Sequence, residues 1–411
     1  MRKFPLVAVA TVAMLIGAPA ALAYVTPDRD FGDRGRVIVG SSGTDWFADV
    51  ATVGKDLVAV GRFHNTKVII AKYSSTGRKV TSFGDRGRTV LDLGQSAGGV
   101  RVYPLTTGDL LVTAVTSRGF ALIGLHANGS LDRDFGDRGI VQKRVDGFHR
   151  LTTTVDSQRR IIVATGQFTG RDAYKSRIHV WRYKPNGTPD RSFSGGDTTA
   201  SPSRVNQVTG VATDSADRIL LVTAQYSDRD RDAGMSLVRV SASGDRVQVL
   251  RRVSAWSREG TFPIGLDETP DGLFLAGITG TRTEVVGAVA FTPEGRLAGS
   301  YADRGILRAR CGDPCYVVDQ KVDDQGALLM VGGVDWDTES EYVVDDTWVS
   351  RFTPSGKRDS RFSPTGWELR YSANFGYDQG YGIDINDSGV ITVAGRVRPR
   401  ASDAYLARFN P

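Results

Sequence analysis

Phe31-Gly32-Asp33-Arg34-Gly35 returns unchanged as Phe83 to Gly87 and again as Phe135 to Gly139, each time 52 positions later. Weaker copies follow at Tyr301-Ala302-Asp303-Arg304-Gly305 and around Phe193 and Phe362. A fixed period of this length marks a solenoid, a propeller or another array, so it governs every other reading of the chain. Upstream of each motif lies a β-rich run ending in a basic or aromatic pair, then a turn glycine. The six turn glycines, Gly77, Gly129, Gly187, Gly244, Gly295 and Gly356, are separated by 52, 58, 57, 51 and 61 residues. A seventh copy of the run, Ala407-Arg408-Phe409-Asn410-Pro411, stops before its glycine.

Between these marks, short alternating or apolar runs are separated by Gly, Asp, Asn, Ser and Pro clusters, the signature of strands and turns. In one unit, 100–105, 110–115, 120–126 and 140–145 read as four strands. Asn128-Gly129 reads as a hairpin turn in which both residues tolerate positive φ. Four strands per unit and seven units predict an all-β, seven-bladed β-propeller of four-stranded antiparallel blades. The chain ends where the next turn should begin. Thr26-Pro27-Asp28-Arg29 near the start matches Thr188-Pro189-Asp190-Arg191 just after Gly187. The last blade is therefore expected to be closed by the N-terminal strand, with residues 26–40 beside 383–409, as a ring rather than a capped solenoid.

The pattern resembles the delta-60 repeat family, a strand, an Asn/Asp-Gly turn, then Leu-Asp-x-x-Phe-Gly-x-x-Gly. The closest copy is Asn128-Gly129-Ser130-Leu131-Asp132-Arg133-Asp134-Phe135-Gly136-Asp137-Arg138-Gly139. The resemblance runs strongly through the first three units and loosely from Ala200 onward. It implies a secreted propeller-like array and brings no general activity. Phe31, Phe83 and Phe135 are expected to enter the outer strands and pack on a neighbouring sheet.

Residues 1–23 read as a signal peptide. Arg2 and Lys3 precede an apolar core from Leu6 to Ile16, and Ala21-Leu22-Ala23 supplies small residues for cleavage. That core is shorter than the roughly 20 residues of a spanning helix. The expectation is a secreted chain, extracellular, periplasmic or cell-surface, with a single propeller domain over 24–411, no membrane span and a monomeric state. The formal charge of +6 falls by two with the leader, and the arginines are dispersed. A nucleic-acid partner would call for a concentrated basic stripe. Cys311 and Cys315 flank Gly312-Asp313-Pro314, a turn that fits a disulfide in an oxidising compartment.

Motifs for catalysis are thin. Gly94-Gln95-Ser96-Ala97-Gly98 matches G-x-S-x-G, but a strand follows where the nucleophile elbow needs a helix. Asp228-Arg229-Asp230-Arg231-Asp232 starts like a calcium loop, yet Ala233 and Arg239 stand where Gly and Glu are needed. Four histidines and two cysteines fall into no zinc spacing. No cofactor is expected, with calcium at the acidic loop 335–346 as the alternative.

Long, variable connections between second and third strands and between blades share one face of the disc, and short turns share the other. Loops on a rigid scaffold are where binding residues concentrate. The long-loop face carries Trp46, Phe63, His64, His149, Arg150, Trp256, Trp336, Tyr342, Tyr377 and Tyr381. Aromatic rings with polar edges suit sugars and extended peptides. The leading expectation is a non-catalytic binding or scaffold propeller for a glycan, peptide or protein partner at the cell envelope. The alternatives are a hydrolase or lyase acting on an extracellular polymer, drawing on acids such as Glu259 and Glu268, and a purely structural repeat domain.

Overall fold

The computed structural model describes residues 24–41, 43–168, 176–202, 207–225, 234–254, 262–279, 285–311, 315–335, 345–372, 378–397 and 402–411. They form seven antiparallel sheets in sequence order. The first blade comprises Trp46–Val53, Asp56–Phe63, Lys67–Tyr73 and Arg88–Leu91, and the second runs from Ala97–Pro104 to Ile140–Arg144. The third spans Phe148–Val155 to Asp197–Ala200, and the fourth Gln207–Thr213 to Val247–Ser254. The fifth begins with a broken inner strand, Phe262–Pro263 and Asp267–Glu268, and ends at Ile306–Arg310. The sixth runs from Cys315–Val322 to Glu368–Tyr371. No helix among the described residues is long and apolar enough to cross a membrane.

The seventh blade closes the ring as expected. Asp378–Ile385, Ile391–Val397 and Asp403–Asn410 supply three strands. The fourth comes from the start of the chain in two pieces, with Thr26 opposite Asn410 and Arg36 to Val39 opposite Ala407 to Ala404.

Among the described residues there is no central core. The buried apolar side chains fall into seven clusters, each lying between two adjacent blades. This explains the sequence texture. Middle strands such as Gly119–Leu125 and Ile219–Gln225 are buried along their whole length, because a neighbouring blade covers each face, and they read as continuous apolar runs. Each such Val, Leu or Ile contributes roughly 1.5–3 kcal/mol of burial.

The repeated motif plugs these layers, though not from within the outer strand. Phe31, Phe83 and Phe135 sit in the turn just before that strand, and each ring enters an interblade cluster. The following backbone N–H then donates to the turn of the next blade. Gly32 N bonds Thr76 O at 2.9 Å, Gly84 N bonds Asn128 O at 2.7 Å, and Gly136 N bonds Asn186 O at 2.8 Å. Ser194 N to Ser243 O and Ala302 N to Ser355 O repeat the contact, both at 2.9 Å. In the fourth blade Leu250 takes the aromatic's place against Gly295. The motif is a latch from one blade to the next.

The basic residue before the turn also acquires a role in the third blade, repeated at the end of the seventh. Arg182 is 2% exposed. It donates to Asp190 Oδ2 at 2.7 Å and Ala242 O at 2.6 Å, and its guanidinium lies 4.6 Å from the Phe193 ring. Arg408 repeats the pair with Asp28 at 3.4 Å.

At Asn128-Gly129 only the glycine has positive φ, at 82°, so the hairpin is a type I turn closed by a left-handed glycine rather than a doubly left-handed one. The Asn128 side chain holds the turn by accepting from Ser130 N at 2.9 Å. A Cβ on Gly129 would meet Gly84 N and the Phe83 ring at 2.9 Å. Gly129→Ala is therefore expected to lower stability by about 1–2 kcal/mol from backbone strain alone, measurable as a reduced urea midpoint with unchanged slope.

Candidate functional site: the central channel

The inner strand of each blade lines the axis. Six of these strands carry a bulge at the same level, between residues 47 and 49, 99 and 101, 148 and 151, 208 and 210, 317 and 319, and 380 and 382. Bulges re-aim side chains and cluster next to sites. Here the extra residues Ala48, Val100, Arg150, Thr209, Val318 and Tyr381 all reach the channel. The residues just after the bulge in three blades are Asp49, Arg101 and Asp319.

Those three close the channel. Arg101 of the second blade reaches across to Asp319 of the sixth, with Nη1 donating to Oδ2 at 2.8 Å and Nη2 donating to Oδ1. Its Nη1 also lies 3.4 Å from Asp49 Oδ1. Asp49 accepts from Val102 N at 2.9 Å and Asp319 from Ile383 N at 3.3 Å, tying each carboxylate to the backbone of the following blade. Burial pushes the Asp49 carboxyl up to about 6, Arg101 opposing and Asp319 reinforcing that rise. Burial disfavours the charged form of Arg101, yet Asp319 and Asp49 outweigh it and hold the guanidinium charged. This bidentate bridge divides the axis into two cups.

On the long-loop face the cup has a volume of about 340 Å3 and is lined by Trp46, Arg150, Tyr381 and Arg396 above Val100, Arg101, Leu151, Ile264 and Val318. Arg62 lies over the Trp46 ring at 4.5 Å. Tyr381 OH and Arg396 Nη2 both donate to Gln379 Oε1, at 2.7 and 2.6 Å.

The cup on the short-turn face is larger, about 780 Å3, with walls from all seven blades. Its polar groups include Thr52, Thr152, Thr154, Thr213, Asp267, Glu268, Lys321, Asp384 and Asp387. Asp384 accepts from Thr52 N and Oγ1, both at 2.7 Å, and lies 3.8 Å from Lys321 Nζ. Gln320 donates to Asp267 Oδ2 at 2.6 Å and accepts from Gly277 N at 2.6 Å. A Cβ at 277 would run into that amide oxygen. Burial raises the carboxyl of Asp267 despite the Gln320 hydrogen bond, and burial with the nearby Asp214 charge raises that of Glu268. Tyr103 donates to Thr153 O at 2.6 Å.

Of the residues expected from sequence, Trp46, Arg150 and Tyr381 converge on the long-loop mouth. Phe63 and His64 do not join them. They line a separate outer groove with Lys67, Asp85, Arg88 and Val90, where His64 N donates to Asp45 Oδ1 at 2.7 Å. Trp256, Trp336, Tyr342 and Tyr377 lie outside the described residues, as do the His149 side chain, Glu259 and most of the acidic loop 335–346. Among the described residues, no group of three or more His, Cys, Asp and Glu is placed to hold a metal. Cys311 and Cys315 are disulfide-bonded, their Cα atoms 6.3 Å apart.

The bridge and, apart from Glu268, the carboxylates of the larger cup escaped the sequence reading. The available signal was a charged residue in the middle of an inner strand otherwise built for packing, as in Trp46–Val53, Ala97–Pro104 and Cys315–Val322.

The chain matches the family model described as "Domain of unknown function (DUF5122) beta-propeller" over residues 160–193. That stretch covers part of one unit, from the second strand of the third blade through Arg182, the Asn186-Gly187 turn and Phe193. No curated protein matches the chain. Among solved structures it is similar to a protein of unknown function from Dyadobacter fermentans DSM 18053, with 12% identity, a TM-score of 0.50, and coverage of 94% of this chain and 99% of that one. It is also similar to an oligogalacturonate lyase in complex with manganese, with 10% identity, a TM-score of 0.50, and 90% of each chain covered. At such identities the likeness is one of fold, and folds of this kind host unrelated chemistries.

Proposed function

We propose that this chain is a secreted binding propeller of the delta-60 repeat type that takes a glycan or extended peptide at the long-loop mouth of its channel. One observation carries the reading. Trp46, Arg150 and Tyr381, from three different blades, meet at a mouth whose floor is sealed by the Arg101 bridge. A closed-bottomed cup with aromatic faces and guanidinium donors favours recognition over passage through the ring. The Cys311–Cys315 disulfide and the leader-like residues 1–23 support an oxidising, extracytoplasmic setting.

A second reading is an enzyme acting on an extracellular polymer, favoured by the raised carboxyls of Asp267 and Glu268 in the opposite cup. Groups poised in this way suit general acid chemistry. Screening the purified chain on glycan and peptide arrays, followed by turnover assays on every hit, separates the two. The binding reading predicts hits without turnover, and affinity reduced about tenfold or more in Trp46→Ala and Tyr381→Ala, as for aromatic anchors. Hits insensitive to both substitutions would refute the mouth as the site.

A further inference from the structure

We infer that the short-turn cup is a second binding site, for a small organic cation carrying several separated amino groups, independent of the mouth on the other face. The cavity, about 780 Å3, falls within the roughly 300–1,000 Å3 of small-molecule sites. The Arg101–Asp319 bridge gives it a floor, so a ligand entering from the short-turn side is enclosed rather than passed through.

Charge selects the ligand class. The two cations on the wall are already committed, Arg101 to Asp49 and Asp319, and Lys321 to Asp384. Asp267 and Glu268 on the fifth blade and Asp387 on the seventh form no salt bridge among the described residues, and all three line the cavity. Burial of Asp267, and partial desolvation with the nearby Asp214 charge at the more exposed Glu268, raise the cost of their charge, and an arriving ammonium relieves it.

The spacing argues against a single metal ion. Asp387 stands on a different blade from Asp267 and Glu268, and no three metal-ligating groups converge among the described residues. A flexible polyamine can place one ammonium at each carboxylate while its remaining N–H groups reach threonine hydroxyls on the same wall. A neutral sugar fits less well, because Tyr103 is the one aromatic residue on the described wall and its hydroxyl is already bonded to Thr153 O.

Titration calorimetry of the full chain with spermidine tests this at two salt concentrations. Binding is expected to weaken with added salt, because exposed charges are screened. It should fall about tenfold in the Glu268→Gln/Asp387→Asn double variant, which removes two ion pairs. Both residues are exposed, so the double variant should fold, and an unchanged melting curve confirms it. Trp46→Ala and Tyr381→Ala should bind spermidine as the unmodified chain does, so failure here and failure of the mouth are read separately. Three results would each overturn the inference: undiminished binding by the double variant, spermidine binding no tighter than propylamine, or displacement of spermidine by equimolar calcium chloride.

Discussion

Deletion of residues 26–40 is expected to turn the protein into an aggregating species, the largest effect foreseen for any change to the chain. The segment supplies the whole outer edge of the seventh blade, through Thr26-Pro27 and Arg36 to Val39 on Asp403–Asn410. Its loss uncovers the backbone donors and acceptors of that strand, including Arg408 N, which donates to Gly35 O at 2.9 Å, and Arg408 O, which accepts from Asp28 N at 2.9 Å. An unpaired strand edge is a template for pairing with other chains. The deletion also removes Phe31, wholly buried between the seventh and first blades, and with it the latch to Thr76 O. Light scattering and size-exclusion chromatography should report large species at concentrations where the intact chain gives none. A synthetic peptide of residues 24–41 added during refolding should suppress them. A truncated chain with unchanged size and melting would mean that the ring does not depend on this closure.

The second large effect concerns the channel. Arg101→Met leaves Asp49 and Asp319, with side chains 7% and 2% exposed, facing each other without their shared cation. Breaking a buried pair by removing one partner costs about 3–5 kcal/mol, and the low end applies here because the Arg101 side chain is 35% exposed. The loss should depend on pH. The Asp49 carboxyl is raised from its ordinary 3.8 to about 6, so the native state holds its proton more tightly than the unfolded chain. That contribution to stability is complete below about pH 4 and disappears as pH rises through 6. Without Arg101 the Asp49 carboxyl rises further, so the penalty of the substitution should be smaller at pH 5, where only the Asp319 pairing is lost, and grow toward pH 8. Urea unfolding of both proteins across this range, with carboxyl NMR of Asp49, measures it. A penalty that is flat with pH would show that the bridge does not set the ionisation of the channel. Arg101→Met/Asp319→Leu should recover part of the loss, since the more deeply buried acid is then gone.

Much of the fold was legible in the residues because its determinants are local and repeated. The Phe31, Phe83 and Phe135 copies set the period, and the glycines from Gly77 to Gly356 counted the blades. The truncated run at Ala407 to Pro411, matched to Thr26-Pro27, foretold which strand closes the ring. Period-two alternation and turn chemistry act over a few neighbours, so one sequence suffices to read them. Cys311 and Cys315 are close along the chain, four positions apart, so their pairing was legible from spacing alone.

Tertiary structure decided what depends on distance around the ring. Whether Phe83 enters the outer strand or stops in the turn before it rests on where Gly129 of the next blade stands. Trp46, Arg150 and Tyr381 share a mouth while Phe63 and His64 lie in an outer groove, although all five read alike as loop-side residues. The difference is one of radius, because inner strands face the axis and the connection between second and third strands lies farther out. Arg101 and Asp319 are 218 positions apart, and nothing in either neighbourhood names the other. Only closure of seven blades, with a bulge at the same level in the inner strands, brings side chains from opposite sides of the disc within hydrogen-bonding reach.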